Sequence, residues 1–415
     1  MKKFPIDNSA ILYLALIRKH HTNIFRFTVS LKENIQSEVL QEAVNAVYKR
    51  FPTIFAGFRP GFFHYTQVPA EAPPKVAPDP GLLINMSHEE IANCAYRVYY
   101  HDNQVIIEGF HAATDGYGMM ASISTLIAEY LRLKYNLTVP VGYPIFDVTE
   151  LPVAEELEDS YLKYADAKPL HLPSRYSYQL PGKDPKCGPV HRETLVYPIE
   201  ELLTGARKYG VSITALLSAV MASSIMELQH LQKEKTMYPV RIMVPIDLRK
   251  TFSSKTLRNF ILYALPTMEV SEYGCSIKDL ALRFSQQIKA HLVKENLAGI
   301  ISYNAKTQKM LLYRMIPSKM KCALMRLAYK FFGESNSSLT MTNLGNIKLP
   351  EVMIPYVESI ILTMMPRVSS PYNCGMYSYN GNFYINLCRF PKESQLEQIF
   401  VNKLRKALDE EVTHL

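Results

Sequence analysis

The sequence predicts an α+β protein of two domains, and three observations carry that prediction. The chain has 415 residues, more than one ordinary hydrophobic core organises. Stretches of two-residue and of helical apolar periodicity follow one another irregularly, without the strict strand–helix alternation of a doubly wound parallel sheet. Several strand pairs are joined by tight turn dipeptides, which marks antiparallel hairpins.

The elements follow in order. "FRFTV" (25–29) alternates as a half-buried strand does, and "SEVLQEAVNAVYKRFP" reads as a helix with Ser37 as its N-cap, stopping before Pro52. "FAGFRPGFFHYTQV" is a hairpin turning on Pro60-Gly61. "AYRVYYHDNQVIIEGFH" is a second, turning on Asp102-Asn103 and delivering His111 at the end of its returning strand. "GMMASISTLIAEYLRLKY" repeats its apolar residues at three and four, a helix. Eight prolines between 138 and 190 break any long element, so an extended crossover is expected there. The domains are accordingly expected at 1–170 and 171–415.

The second half resumes with strand "ETLVYPI", helix "IEELLTGARKYG" and a helix capped by Ser212. Strands "VRIMVPI" and "FILYALPTMEV" follow, then helices through 277–296 and near 305–332. Strands "SSLTMTNL" and "VESIILTMM", a tyrosine-rich hairpin at 375–388 turning on Asn380-Gly381, and a helix over 393–410 complete the chain. No internal repeat is present.

Composition excludes several classes. Hydrophobic content of 48% with 20% charged residues is that of a globular chain. The apolar run Ala10–Ile17, between Asp7 and Arg18, is too short to span a bilayer and lacks a cleavage site, so neither a membrane span nor a signal peptide is expected, and the chain reads as cytoplasmic. Six scattered cysteines form no C-x-x-C pair, so reduced thiols and no metal site are expected. Cys374 and Cys388 flank the tyrosine-rich hairpin. The net charge of +8 favours an anionic partner, with Lys and Arg gathered around 241–258 and 306–330. No nucleic-acid motif accompanies them, and a solvated helix face is the plainer reading of each cluster.

"GYGMMA" (116–121) matches half of a dinucleotide fingerprint, but no second strand with a ribose-binding acid follows. No Walker loop, G-x-S-x-G elbow or H-E-x-x-H is present. What remains is H-x-x-x-D-G at 111–116. Histidine titrates nearest neutrality, so His111 is a candidate general base. A base needs its ring held in one tautomer, and Asp115 would serve by direct contact or by pairing with a cation that makes the turn rigid. Gly116 lets the backbone turn into the helix. Each residue also has an ordinary structural reading: a strand-end histidine, an N-cap aspartate and a turn glycine.

This H-x-x-x-D-G, at this distance from the N-terminus, resembles the active-site motif of the chloramphenicol acetyltransferase-like superfamily, which includes nonribosomal peptide condensation domains and alcohol acyltransferases. "YKRFPTIFAGFR" (48–59) is similar to an early basic region of condensation domains, with Arg50 and Arg59 in the basic positions. "MVPIDLRKTFSSKTLRNF" (243–260) resembles a V-P-x-x-x-R … G-N-F segment, with Arg258 in place of the glycine. "SLTMTNLGNI" (338–347) resembles a strand and loop near the C-terminus. The opening "FPIDNSAILYLAL" is similar to stand-alone bacterial alcohol acetyltransferase-like proteins. Condensation domains carry a double histidine, and here Phe110 replaces the first.

The resemblance implies two α+β lobes with mixed, largely antiparallel sheets and a tunnel between them. It implies acyl transfer from a thioester, acyl-CoA or the phosphopantetheine of an acyl carrier protein, to a small-molecule alcohol or amine, with no permanently bound cofactor. His111 would be the general base and no acyl-enzyme would form. Asp115 would pair with an arginine, Arg249 in "PIDLR" first and Arg50 second. Thr340, Thr342 and Asn343 are oxyanion candidates by resemblance. Gly118 would admit the thioester arm to the helix start. The alternatives are a carrier-dependent condensation enzyme and a binding or scaffold protein that keeps the fold with little activity.

Overall fold

Turns and prolines at fixed places shape three sheets and the helices packed on them. The computed structural model describes residues 3–17, 23–182, 189–233, 235–310, 314–367 and 370–409. A five-stranded sheet runs in the order Val357–Met364, Ile24–Leu31, Gln104–Phe110, Tyr96–His101, Ala77–Pro78. A larger sheet runs Ile261–Ala264, Val240–Asp247, Leu339–Asn346, Tyr372–Tyr379, Asn382–Arg389, His191–Pro198, with Thr267–Met268 also on Val240–Asp247. A small sheet joins Phe4–Pro5 to the hairpin Ala56–Pro60 and Tyr65–Pro69. Pairing is antiparallel except where Leu339–Asn346 meets its two neighbours and where Ala77–Pro78 meets Tyr96–His101. The fold is α+β, and the described strands close no barrel.

Strand Ile24–Leu31 alternates as its sequence predicts, yet all of it is buried. Phe25, Phe27, Val29 and Leu31 face the core shared with helices Ser37–Val47 and Gly116–Tyr135. The opposite face is polar but covered. Arg26 donates to Glu108 at 2.6 and 2.8 Å, and Arg97 donates to the same carboxylate at 2.9 Å. The loop above supplies Asp79 and the carbonyls of Leu82, Ile84 and Asn85 to these two guanidiniums. A buried charge is tolerable only with such complete pairing.

Other boundaries differ from expectation for local reasons. Gln36, not Ser37, is the N-cap residue of its helix, and its side chain makes no cap bond. The strand expected through "FILYALPTMEV" divides at Pro266, which has no N–H to give a ladder, into Ile261–Ala264 and Thr267–Met268. The helical stretch of 277–332 is not continuous: among the described residues it includes Ile277–His291, Lys294–Lys309 and Ser318–Phe332, the last preceded by Pro317. The proline-rich crossover contains the one-turn helices Ala154–Leu157 and Ser160–Lys163, and its residues 183–188, with Cys187, lie outside the described residues. The apolar run near the N-terminus is a helix, Asn8–Ala15, capped by Asp7. Cys374 lies opposite Leu387 and Cys388 opposite Asn373, and both thiols are free. Among the described residues no single helix is long and apolar enough to cross a membrane.

Two cores result. One lies between the five-stranded sheet and its helices, the other between the larger sheet and helices Ile199–Lys208, Ile213–Leu231 and Gln395–Asp409. Strand Val357–Met364 crosses between them. It lies between two strands of the larger sheet in sequence, yet pairs along its length with Ile24–Leu31. The lobe that carries the histidine motif is thus completed by residues far beyond 170.

Candidate active site

His111 follows directly on strand Gln104–Phe110, whose residues 105–110 are all buried. Its N–H donates to the Asn23 carbonyl at 2.8 Å, and Ala113 N–H closes the turn on the Phe110 carbonyl at 2.9 Å. The imidazole stacks on Tyr13, centroids 4.4 Å apart and planes 19° from parallel, and meets Phe25 edge-on at 5.0 Å. Nδ1 is buried, and no hydrogen bond of good geometry reaches it among the described residues. Burial pushes the imidazole pKa below its usual 6.5; carbonyls of the turn, Asp115 and Asn259 pull the other way without prevailing. The ring is therefore neutral at pH 7, the form in which it takes a proton.

Asp115 has the opposite environment. It caps helix Gly116–Tyr135, accepting from Tyr117 N at 3.1 Å and Gly118 N at 3.3 Å. Its two oxygens accept from Arg249 Nη2 at 3.0 and 2.9 Å, and Oδ2 also accepts from Phe260 N at 2.9 Å. Arg249 is fixed in turn: Nε donates to the Thr256 carbonyl at 2.8 Å, Nη2 to the Arg258 carbonyl at 2.6 Å and Nη1 to Asp247 at 2.8 Å. Its guanidinium also lies over the Tyr117 ring, 4.4 Å from the centroid. The carboxylates of Asp115 and Asp247 hold the Arg249 pKa above its ordinary value against burial. Asp115 and Arg249 thus fasten the first half of the chain to the second, and Asp115 makes no bond to the imidazole.

The remaining candidates fall differently. Arg50 does not reach Asp115; it makes a buried two-point pair with Glu156 of the crossover, at 2.6 and 2.8 Å. Gly116 is where Leu344 packs, with the leucine Cδ2 2.6 Å from the place a Cβ would take. At Gly118 a Cβ would lie 2.2 Å from the Leu257 carbonyl and 2.2 Å from the Thr114 hydroxyl. Glycine at 118 is therefore required by the protein's own close packing against Leu257 and Thr114. Thr340 and Thr342 are both half-buried on strand Leu339–Asn346, and the Thr340 hydroxyl lies 3.8 Å from Met243 Sδ. Asn343 points the other way. Its amide donates to Thr214 at 2.9 Å and its carbonyl accepts from Gly345 N at 2.8 Å.

The sequence did not single out two residues that touch this turn. Tyr13, on helix Asn8–Ala15, supplies the stacking face. Asn259 donates to the carbonyls of His111 and Ala112, at 3.0 and 3.3 Å, tying the turn to the second half. The N-terminal segment that brings Tyr13 is pinned there. Arg258 donates to the Pro5 carbonyl at 2.6 Å and stands 3.6 Å from Asp7, and Ser9 bonds Tyr161 at 2.9 Å. Asp7 is so enclosed that burial pushes its carboxyl up to about 7 despite Arg258. Only Asn259 had a local signal, as the asparagine of "RNF".

No family model and no curated protein sequence matches the chain. Solved structures do. Polyketide synthase associated protein 5 from Mycobacterium tuberculosis superposes with a TM-score of 0.65 at 12% identity, over 98% of this chain and 98% of that one. F. graminearum TRI101 complexed with coenzyme A and T-2 mycotoxin gives 0.63 at 12% identity, over 98% and 97%. The epimerization domain from the third module of tyrocidine synthetase B gives 0.61 at 12% identity, over 98% and 95%. At such identities the likeness is one of architecture, end to end. The chain shares the overall fold of these solved structures, a fold in keeping with the one its sequence resemblance implies.

Proposed function

We propose that the protein is an acyltransferase that moves an acyl group from a thioester, acyl-CoA in the first instance, to an alcohol or amine, with His111 as general base. The observation that carries this is the pairing of a neutral, ring-stacked imidazole with a turn locked across the two halves by Asp115 and Arg249. The overall fold supports it, as does the coenzyme A complex of a structural neighbour.

In this reading His111 takes the proton of the acceptor hydroxyl or amine as that atom attacks the thioester carbonyl. The tetrahedral oxyanion collapses, the C–S bond breaks, and the imidazolium returns its proton to the thiolate. Free thiol and acylated acceptor leave, and no bond to the protein forms. Asp115 is a positioning residue, since its oxygens are occupied by Arg249 and by backbone N–H groups. Thr340 and Thr342 are the oxyanion donors to test; Asn343 is turned away, and its amide is engaged by Thr214.

The test is release of free thiol from acetyl-CoA and longer acyl-CoA with a panel of alcohols and amines. Turnover that vanishes in His111→Ala supports the proposal. Turnover unchanged by that substitution overturns the base assignment, and absence of thiol with every acceptor favours a binding protein or a carrier-bound donor.

A further inference from the structure

Helix Ser318–Phe332 is amphipathic in the wrong sense for a soluble surface. Its inward positions hold Ser318 and Lys321, both buried, with Cys322, Met325 and Tyr329 half-buried. Its outward stripe is apolar: Met320, Leu324, Leu327 and Phe331 are between 50 and 64% exposed. The tip of the Ala56–Pro60/Tyr65–Pro69 hairpin extends this stripe, with Phe62 74% and Phe63 43% exposed. The two are bonded into one face. Ser318 N and Oγ donate to the carbonyls of Phe62 and Gly61 at 2.7 and 2.6 Å, and Lys321 Nζ donates to the Phe63 carbonyl at 2.8 Å.

The stretch of chain that forms this helix carries charge of one sign. Between Glu295 and Glu334 the chain carries seven Lys or Arg residues and no Asp or Glu, nearly its whole surplus of +8. Lys319 and Lys330 flank the apolar stripe, both exposed, and neither is in an ion pair among the described residues. Arg326, which donates to the Ala15 carbonyl at 3.0 Å, holds the helix to the N-terminal helix behind it.

We propose that this face docks on a lipid bilayer bearing anionic headgroups. Leu, Met and Phe along one side of a helix, rimmed by Lys and Arg, is the composition of a segment that lies in the membrane interface. Juxtamembrane cations are drawn to the negative leaflet, and lysine stems reach past the apolar stripe to keep their ammonium groups among headgroups. A protein partner fits less well, because the buried centre of protein interfaces is depleted of lysine. The face is a convex helix side and a hairpin tip, shapes that enter a bilayer rather than receive a ligand. An apolar cavity of about 440 Å³, lined by Ile6, Ile11, Phe63, Arg314 and Lys321, lies on the inward side of this helix.

The test is flotation of the full chain with vesicles of pure phosphatidylcholine and with vesicles in which roughly one-third is phosphatidylglycerol. The expected result is binding to the anionic vesicles, weakened by salt and about fivefold weaker for each of Lys319→Gln and Lys330→Gln. The double variant Phe62→Ser, Phe331→Ser loses roughly tenfold or more, and its melting curve shows whether it is folded. Should that variant unfold, the two lysine variants carry the test. Absence of binding to the anionic vesicles, equal binding to both, or indifference to all these substitutions overturns the proposal. So does a solution dimer that these substitutions dissociate, which would give the face to a second copy of the chain.

Discussion

The two ends of the six-residue turn at 111–116 could hardly be treated more differently. At one end every oxygen of Asp115 is engaged, by an arginine from the second half and by three backbone N–H groups. At the other, His111 is held by two aromatic rings while its buried Nδ1 has no well-formed hydrogen bond among the described residues. Rigidity is concentrated in the carboxylate, and the imidazole is kept neutral in an apolar niche four residues away. The lesson is a division of labour: the aspartate fixes where the turn is, and the environment of the histidine fixes its protonation state.

Breaking the lock has the largest expected effect. Asp115→Ala removes the buried carboxylate partner of Arg249 and the acceptor of three backbone N–H groups, and should cost about 3–5 kcal/mol of folding stability, read by denaturant unfolding. A variant as stable as the parent would remove Asp115 from its structural role. Next comes His111→Gln, for which thiol release should fall by roughly 10²–10⁴-fold while the unfolding midpoint stays near that of the parent. Loss of stability in place of turnover would erase the contrast between the two ends.

Gly118→Ala pushes a methyl against the Leu257 backbone and should cost about 1–3 kcal/mol in thermal melting. A stable Gly118→Ala variant that instead binds acyl-CoA poorly would return this glycine to the thioester site. The smallest expected effect is at Tyr13. Since burial lowers the His111 pKa below 6.5, the base form predominates at pH 7 and kcat/KM should fall only on the acid side of that value. Tyr13→Ala admits water to the ring, moves this acid limb toward 6.5, and lowers the rate by about threefold to tenfold. A limb that does not move shows that the stack is not what desolvates the imidazole.

Much of the site was legible because it is local. H-x-x-x-D-G stands on a strand, a turn and a capped helix that periodicity reveals, and the arginine of "PIDLR", to which the resemblance points, is the partner of Asp115. Arg50, the second choice, was misplaced because the crossover provides Glu156, and a buried pair separated by 106 residues leaves no mark in either segment. The stack of Tyr13 on His111 was illegible for the same reason. An eight-residue apolar run says where a helix forms, but its docking depends on Asp7, Ser9 and their partners Arg258 and Tyr161. The polar face of Ile24–Leu31, turned away from the core, followed the expected alternation, and the loop at 79–85 turned exposure into burial.

Strand Val357–Met364 has a consequence for synthesis. Until it emerges, Ile24–Leu31 presents a bare edge, a row of unpaired backbone groups set in an apolar surface, which is a template for aggregation. The ribosome delivers more than three hundred residues after that edge appears before its natural partner arrives. The sheet that ends on His111 is therefore among the last parts of the molecule to be finished, and a nascent chain must keep this edge shielded for most of its translation.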